Sequence, residues 1–372
     1  MSEDKLYWIW LSSIPGIGAR RFYKLMEYYE NPQRLYYASE VDLKAAAGIL
    51  GEKTADQLLK ARCDENLEVA RTLMESSDLE ILTLLSPSYP PLLKSIYDPP
   101  PVLYCRGRPL LCKQHSIAVV GSRRSSEYGR TAARKISCRL AQAGVTIVSG
   151  MARGIDTMAH KGALEAEAGY TIAVLGSGVD YVYPAENAAL YRSICDQGTI
   201  MSEYPPGTIP SPGNFPARNR IVSGLSHGVL VVEAGTRSGA LITVDCALEQ
   251  GREVYALPGN ISSPFSQGTN KLLKEGAKMI TSAEDILEDL EGTLAFPSMA
   301  MLQSEPERQA PVLDFFESLV YNALEDGEKG LEELIHITQM PAGQLNGVLT
   351  LMEIRGIIRQ LPGKIFMKQW KT

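Results

Sequence analysis

Apolar residues recur along this chain in two registers. From the N-terminus to about residue 75 they fall at helical spacing. Between 115 and 285 the register changes. Short apolar runs, Ile117–Val120, Thr146–Val148, Thr171–Leu175, Val229–Val232 and Val254–Leu257, each end in a loop of small residues. A helical pattern follows most of them. Thr199–Ser202 and Met279–Ile280 are weaker runs of the same kind. A strand that is apolar on both faces belongs between layers of helix. The alternation therefore predicts βαβ units and an α/β fold with a doubly wound, mostly parallel, Rossmann-like sheet. Right-handed crossovers bring the C-terminal ends of the strands to one edge. The loops then line a single crevice, where open α/β sheets bind ligands.

The flanks read differently. In the helical segment, Ser12–Ala19 (SSIPGIGA) joins two helical patterns, the second being Arg20–Tyr29. Its glycines fit a helix-hairpin-helix turn, and Ala47–Lys53 (AGILGEK) is a looser echo. Two such hairpins suggest a small sterile-alpha-motif-like domain over 1–80. The same glycines equally serve plain helix turns. Residues 86–109 are rich in proline, and residues before proline are held extended. This stretch reads as an ordered connector, with Val102-Leu103-Tyr104 as an edge strand. The doubly wound part is expected over 81–290 and a linker over 291–311. Helices at Val312–Leu324, Glu332–Ile337 and Ala342–Arg355, then two short runs around Pro362-Gly363, predict a winged helix over 312–372.

The 372 residues leave room for about two or three domains. No apolar run approaches the ~20 residues that span a membrane. The opening MSEDKLYWIW lacks a basic region, so no signal peptide is expected. The six cysteines (63, 105, 112, 138, 195, 246) contain no CxxC pair, which favours reduced thiols and a cytoplasmic setting over structural zinc. Net charge is −6, so a polyanionic partner must meet a local patch.

The first strand delivers Gly121-Ser122-Arg123-Arg124 to the helical pattern that begins at Gly129. Free N–H groups at a helix start favour anions, and two arginines add donors suited to phosphate. Which phosphate is decided by the other loops. A dinucleotide turn G-x-G-x-x-G is missing, as is an acid after Ser149-Gly150 to grip a ribose. No P-loop or nucleophile elbow occurs. Asp156 and His160 stand four apart with no third metal ligand; a helix cap and a locally bonded histidine account for them. Glu233 is either a general base or an acceptor for neighbouring loops. What remains is donor chemistry: Ser122, Arg123, Arg124, Arg153, Arg218, Arg220 and Arg237 all lie at or near strand-end loops. In Asn214-Phe215-Pro216-Ala217-Arg218-Asn219-Arg220 an aromatic accompanies amides and arginines, a combination that holds single-stranded nucleic acid. Phe215 as core, with Arg218 and Arg220 paired to Glu203 or Glu233, is the competing arrangement.

Taken in order, these loops resemble the bacterial DNA-processing protein A (DprA, or Smf) family. The matching residues are Val120–Arg123 with Tyr128-Gly129, Ser149–Asp156 with Ala159-His160, and Ala173–Asp180 with Tyr183-Pro184. Ser202–Gly207, Asn214–Pro216 with Arg218–Ile221, Glu233-Ala234 with Ser238-Gly239, and Pro258-Gly259 with Gly268–Asn270 continue the match. The resemblance implies a protein without catalysis, cofactor or metal. It implies binding of single-stranded DNA during natural transformation, loading of the RecA recombinase in recombination, and a homodimer formed through the Rossmann-like part. It maps a phosphate-binding arginine to Arg123 and a stacking aromatic to Phe215. The strand is then expected on Gly121, Ser122, Arg123, Ser149, Gly150, Arg153, Lys161, Asn214, Phe215, Arg218, Asn219, Arg220, Arg237 and Ser238. Some members carry a lysine just before the aromatic; here Ser211–Asn214 has none. The winged helix has six basic residues (329, 355, 359, 364, 368, 371) against eight acidic (314, 317, 325, 326, 328, 332, 333, 353). That balance favours a protein contact over duplex binding. A nucleotide hydrolase using the same crevice, with Glu233 as its base, and a regulator acting through the winged helix are the alternatives from other classes.

Overall fold

The computed structural model describes residues 2–45, 47–110, 115–293, 313–325 and 327–368. Cys112, most of the expected linker and the start of the expected helix at Val312 lie outside them. The chain divides into two compact units, Met1–Phe296 and Pro297–Thr372.

The first unit is built on nine strands: β1 (Glu80–Thr83), β2 (Val102–Gly107), β3 (Ser116–Val120), β4 (Thr146–Ser149), β5 (Thr171–Val174), β6 (Thr199–Ser202), β7 (Gly228–Val231), β8 (Glu253–Ala256) and β9 (Lys278–Met279). Their order is β1-β2-β6-β5-β4-β3-β7-β8-β9. From β6 to β9 all neighbours are parallel. The chain winds outward from β3 through β4, β5 and β6, then returns to the other side of β3 at β7. The strand order therefore reverses between β3 and β7, and the crevice opens there.

The apolar runs are explained by two cores. In β3, Ile117 and Val119 face one core, with Ala133, Ile136 and Leu140 of helix Glu127–Gln142. Ala118 and Val120 face the other, with Ile221 and Val222 of helix Asn214–Gly224. Period-2 alternation has no polar side to show when both faces are covered.

The expected edge strand at Val102 is corrected. β2 lies inside the sheet, antiparallel to both β1 and β6. Its first four residues are all buried, as an interior strand requires. The edge is β1, four residues between a helical segment and a proline-rich one, too short for periodicity to reveal.

Helices fill Ser2–Glu75. Gly16 and Gly51 make their turns at φ +86° and +78°, a region that strains any side chain. These helices share a core with the sheet: Trp10, Phe22, Leu25 and Leu58 join Tyr104, Met151, Val179 and Ile200. Trp10 is fully buried and donates from Nε1 to the Ala61 carbonyl at 2.8 Å. Burying such a side chain contributes roughly 2–3 kcal/mol. Met151 and Val179 come from strand-end loops, so the helical segment braces the crevice from one side.

The second unit is a winged helix: helices Phe315–Ala323, Leu331–Thr338 and Ala342–Ile354, with strands β10 (Lys329–Gly330), β11 (Ile358–Leu361) and β12 (Ile365–Lys368) ordered β10-β12-β11. Asp314 and Glu317 form a reciprocal capping box on the first helix. Val320, Leu334, Leu345, Leu349, Met352 and Phe366 form its core. No helix among the described residues is long and apolar enough to cross a membrane.

Candidate nucleic-acid interface

The turn after β3 is fixed by backbone contacts. Ser122 N–H donates to the Glu233 carbonyl at 2.8 Å, and Ile155 N–H to the Ser122 carbonyl at 3.3 Å. A Cβ on Gly121 would stand 2.6 Å from Ile155 Cγ1. Gly154, at φ +75°, lies so close that a Cβ would fall 2.3 Å from the Ser122 carbonyl oxygen. Two loops are thus locked together and Arg123 is thrust outward between them. Its guanidinium carbon stands 5.5 Å from the centre of the Phe215 ring. Arg124 is also exposed.

The start of the helix, where a phosphate was expected, is met by a carboxylate of the chain itself. Glu233, 2% exposed, occupies that position. Its carboxylate accepts from Ser126 N–H at 2.9 Å and from Ser126 Oγ–H at 2.5 Å. Ser126 Oγ in turn accepts from Gly129 N–H at 3.1 Å. A Cβ on Gly129 would sit 2.3 Å from the Glu233 carboxyl carbon. The negative charge that a helix N-terminus attracts is supplied from within. Of the two roles open to Glu233, the structure shows the acceptor.

The loop after β4 is organised by two buried, opposite charges that act on each other, Asp156 and Arg218. The expected cap is corrected: Asp156 Oδ2 accepts from Gly150 N–H at 3.2 Å and Ala152 N–H at 3.4 Å, tying the loop, while the helix start at Gly154 has no side-chain cap. Burial pushes the Asp156 pKa up, opposed by Arg218 and these amides. Arg218 is 4% exposed. Its Nη1 donates to the Gly150 carbonyl at 2.9 Å and also to the Val174 carbonyl. Burial pulls the Arg218 pKa down, and Asp156 opposes that. A Cβ on Gly150 would meet Nη1 at 2.4 Å, so glycine is required for the arginine to pass. The expectation of Arg218 as a strand contact is corrected: its guanidinium is buried and its Nη1 holds the ends of β4 and β5.

His160 is held locally. Thr171 Oγ–H donates to the Ile147 carbonyl at 2.7 Å, so His160 Nδ1–H donates to Thr171 Oγ at 2.7 Å. Burial, with the Arg218 charge adding, brings its pKa down to about 3. Among the described residues no group of three or more His, Cys, Asp or Glu could hold a metal.

Arg220 is corrected likewise. Its Nη2 donates to Glu203 at 2.5 Å and its Nε lies 3.6 Å from Asp98. Its side chain is only 15% exposed. Burial raises the Glu203 pKa, and Arg220 opposes the rise.

Phe215 is half-buried. One edge rests on the backbone at Gly176, where a Cβ would stand 3.0 Å from Cδ1. Asn214 Nδ2 donates to the Gly176 carbonyl at 3.1 Å and fixes the start of the helix. The Tyr183 ring lies 5.5 Å from the Phe215 ring, tilted by 35°. Tyr183 was not singled out by sequence reasoning; its one signal was its place in the Tyr183-Pro184 match. It is near enough to Arg153 to bear on its charge. Arg153 forms a bidentate pair with Glu186 at 2.7 and 2.9 Å, and hydrogen bonding to Glu186 raises its pKa. The rim of the crevice thus runs Arg123, Phe215, Tyr183, Arg153.

The remaining expected contacts scatter. Lys161 and Arg237 are exposed. Ser149 is buried and donates from Oγ to the Val119 carbonyl at 2.7 Å. Ser122 Oγ donates to the Arg124 carbonyl at 2.7 Å. Ser238 Oγ accepts from Ala240 N–H at 3.3 Å, and Asn219 Nδ2 donates to the Gly239 carbonyl at 3.5 Å.

This is a doubly wound α/β protein whose switch-point floor is closed by its own carboxylate and whose rim carries arginines and stacked rings. A family model described as DNA recombination-mediator protein A matches residues 80–291, and one for the DprA winged helix domain matches 304–364. The chain belongs to the DprA/Smf family of DNA-processing proteins. It is similar to Protein Smf of Synechocystis, 33% identical over 99% of this chain and 100% of the relative. It is 40% identical to DNA processing protein DprA of Bacillus subtilis, over 68% and 88% of the two chains. The crystal structure of DprA from Streptococcus pneumoniae matches with a TM-score of 0.66 and 37% identity, covering 78% of this chain and 98% of that one. A Helicobacter pylori DprA, whose structure was described for its single-stranded DNA binding mode, matches with a TM-score of 0.53 and 31% identity, over 58% and 96%.

Proposed function

We propose that this chain binds single-stranded DNA along the rim of its sheet edge, without catalysis. It would shield incoming DNA in natural transformation and load the RecA recombinase onto it, working as a cytoplasmic homodimer through the Rossmann-like part. One observation carries the binding step: the Arg123 guanidinium stands over a half-exposed Phe215 ring, with the tilted Tyr183 ring beside it. A base stacks on a ring while an adjacent guanidinium holds a phosphate. The single-strand binding described for the Helicobacter pylori relative supports this reading. Strand contact is assigned to Arg123, Phe215 and Tyr183, with Arg153, Lys161 and Arg237 as flanking cations. The other expected residues shape the loops. The hydrolase alternative loses its base, since both Glu233 oxygens are engaged by Ser126. Helix Ala342–Ile354 carries no lysine or arginine, which favours a protein contact for the winged helix.

The test is binding of single- and double-stranded oligonucleotides across a salt series. Single strands should bind tighter. Arg123→Ala should weaken binding and flatten the logarithmic salt slope by roughly 0.7, the increment of one phosphate. Equal affinity for duplex, or an unchanged slope, would overturn the assignment.

A further inference from the structure

An exposed ring outside this site lies on the same edge of the sheet. β2 runs antiparallel to β6, with Tyr104 opposite Ser202. The approach to β2, Tyr97–Pro101, therefore arrives where the parallel strands end. Tyr97 in that approach is 86% exposed. The Arg20 guanidinium carbon stands 5.2 Å from its ring centre. The arrangement repeats that of Arg123 over Phe215.

The two places are linked through one carboxylate. Asp98 Oδ2 lies 3.5 Å from Arg20 Nε and 3.6 Å from Arg220 Nε. Arg220 shares the helix Asn214–Gly224 with Phe215, about 7.5 Å further along its axis. Tyr23 of the Arg20 helix donates from its hydroxyl to the Pro99 carbonyl at 2.7 Å, which fixes that helix against the approach. Arg20, Arg21 and Lys24 are all exposed, whereas the Asp98 side chain is only 20% exposed, between two arginines. Charge and ring together fit a nucleotide strand, not an apolar peptide.

We propose that Tyr97 and Arg20 form a second base-stacking station for single-stranded DNA, carrying the track from Phe215 onto the first turns of helix Ala19–Tyr29. This rests on the single-strand reading above. The station adds length to the footprint, because a strand must cross the Arg220–Asp98 junction to reach it.

The experiment measures binding of labelled oligothymidylates of about 6 and about 20 nucleotides, lengths bracketing typical single-strand sites. The full chain is compared with Tyr97→Ala, Tyr97→Phe and Phe215→Ala. Tyr97→Ala should bind the long oligonucleotide about five- to hundred-fold more weakly, the loss expected for one stacked base. It should bind the short one normally and melt at the wild-type temperature. Tyr97→Phe, which keeps the ring, should match the wild type on both, and Phe215→Ala should weaken both. Normal binding of the long oligonucleotide by Tyr97→Ala, with Phe215→Ala defective, would overturn the second station and leave the first reading standing. Failure of the wild type to bind either length would overturn both.

Discussion

Replacing Arg218 by methionine separates a positioning arginine from a DNA-contacting one. The side chain is 4% exposed, donates to the carbonyls of Gly150 and Val174, and faces Asp156. Removing one partner of a buried pair costs about 3–5 kcal/mol, because the other charge is left without compensation. The two hydrogen bonds are part of that loss, since the carbonyls they satisfy are buried by the same side chain. A net loss of about 4 kcal/mol should lower Tm by on the order of 10 °C. The double variant Asp156→Asn/Arg218→Met should regain at least half of it, because the orphaned charge is gone and the amide can still accept from Gly150 and Ala152. Scanning calorimetry gives Tm, and oligonucleotide titration well below Tm gives affinity. Arg218→Met with Tm within about 2 °C of wild type and no single-strand binding would refute the positioning role.

Two further outcomes follow from the buried carboxylate and the buried imidazole. Glu233→Gln should cost about 1–3 kcal/mol, since an amide cannot accept from both Ser126 groups; tighter oligonucleotide binding at unchanged Tm would instead show that Glu233 competes with phosphate. His160 has a folded pKa of about 3, below its unfolded value near 6.5, so the unfolded chain takes up the proton first. Its contribution to stability is present above the unfolded pKa and is lost as pH falls from about 6.5 toward 3, at up to about 1.4 kcal/mol per pH unit. The raised pKa of Asp156 works in the opposite sense, so the informative quantity is a difference. His160→Asn, whose amide can still donate to Thr171, should flatten denaturant-midpoint-versus-pH between 6.5 and 4, and an equal slope in both proteins would refute it.

Much of the sheet was legible because strands covered on both faces have no polar positions to confuse with a helix face. Ile117–Val120 and Val229–Val232 each fell within one residue of the observed strands. β1 was not legible: four residues carry no period, and its partner β2 is set by a return path the sequence does not encode locally. At the site, the placement of Arg123 and Phe215 at the strand-end edge was legible because a turn and a helix start carry them there. The pairing of Arg220 with Glu203 was legible as the competing arrangement; the burial of Arg218 was not. An arginine two residues from another shares its composition but not its surroundings, and only the tertiary arrival of Asp156, Glu203 and Asp98 decides which charges are spent. Tyr183 was hidden for the converse reason, since an aromatic in a loop takes its meaning from the ring it meets.

The carboxylates around the crevice bear on what kind of ligand can bind. Glu233 holds the start of helix Glu127–Gln142, Asp156 the amides of Gly150 and Ala152, and Glu203 the fork of Arg220. These loop amides are therefore already engaged, and displacing a buried acceptor would leave a charge without a partner. The cations that remain, Arg123, Lys161 and Arg237, stand on loops and on an exposed helix face. They are too far out to enclose a small ligand, yet a polymer can touch several in succession. Rings between cations suit any base, because every base has a stackable face. A floor neutralised from within and a rim neutralised only at Arg153 thus favour a long, sequence-tolerant anion over a compact one, even in a chain whose net charge is −6.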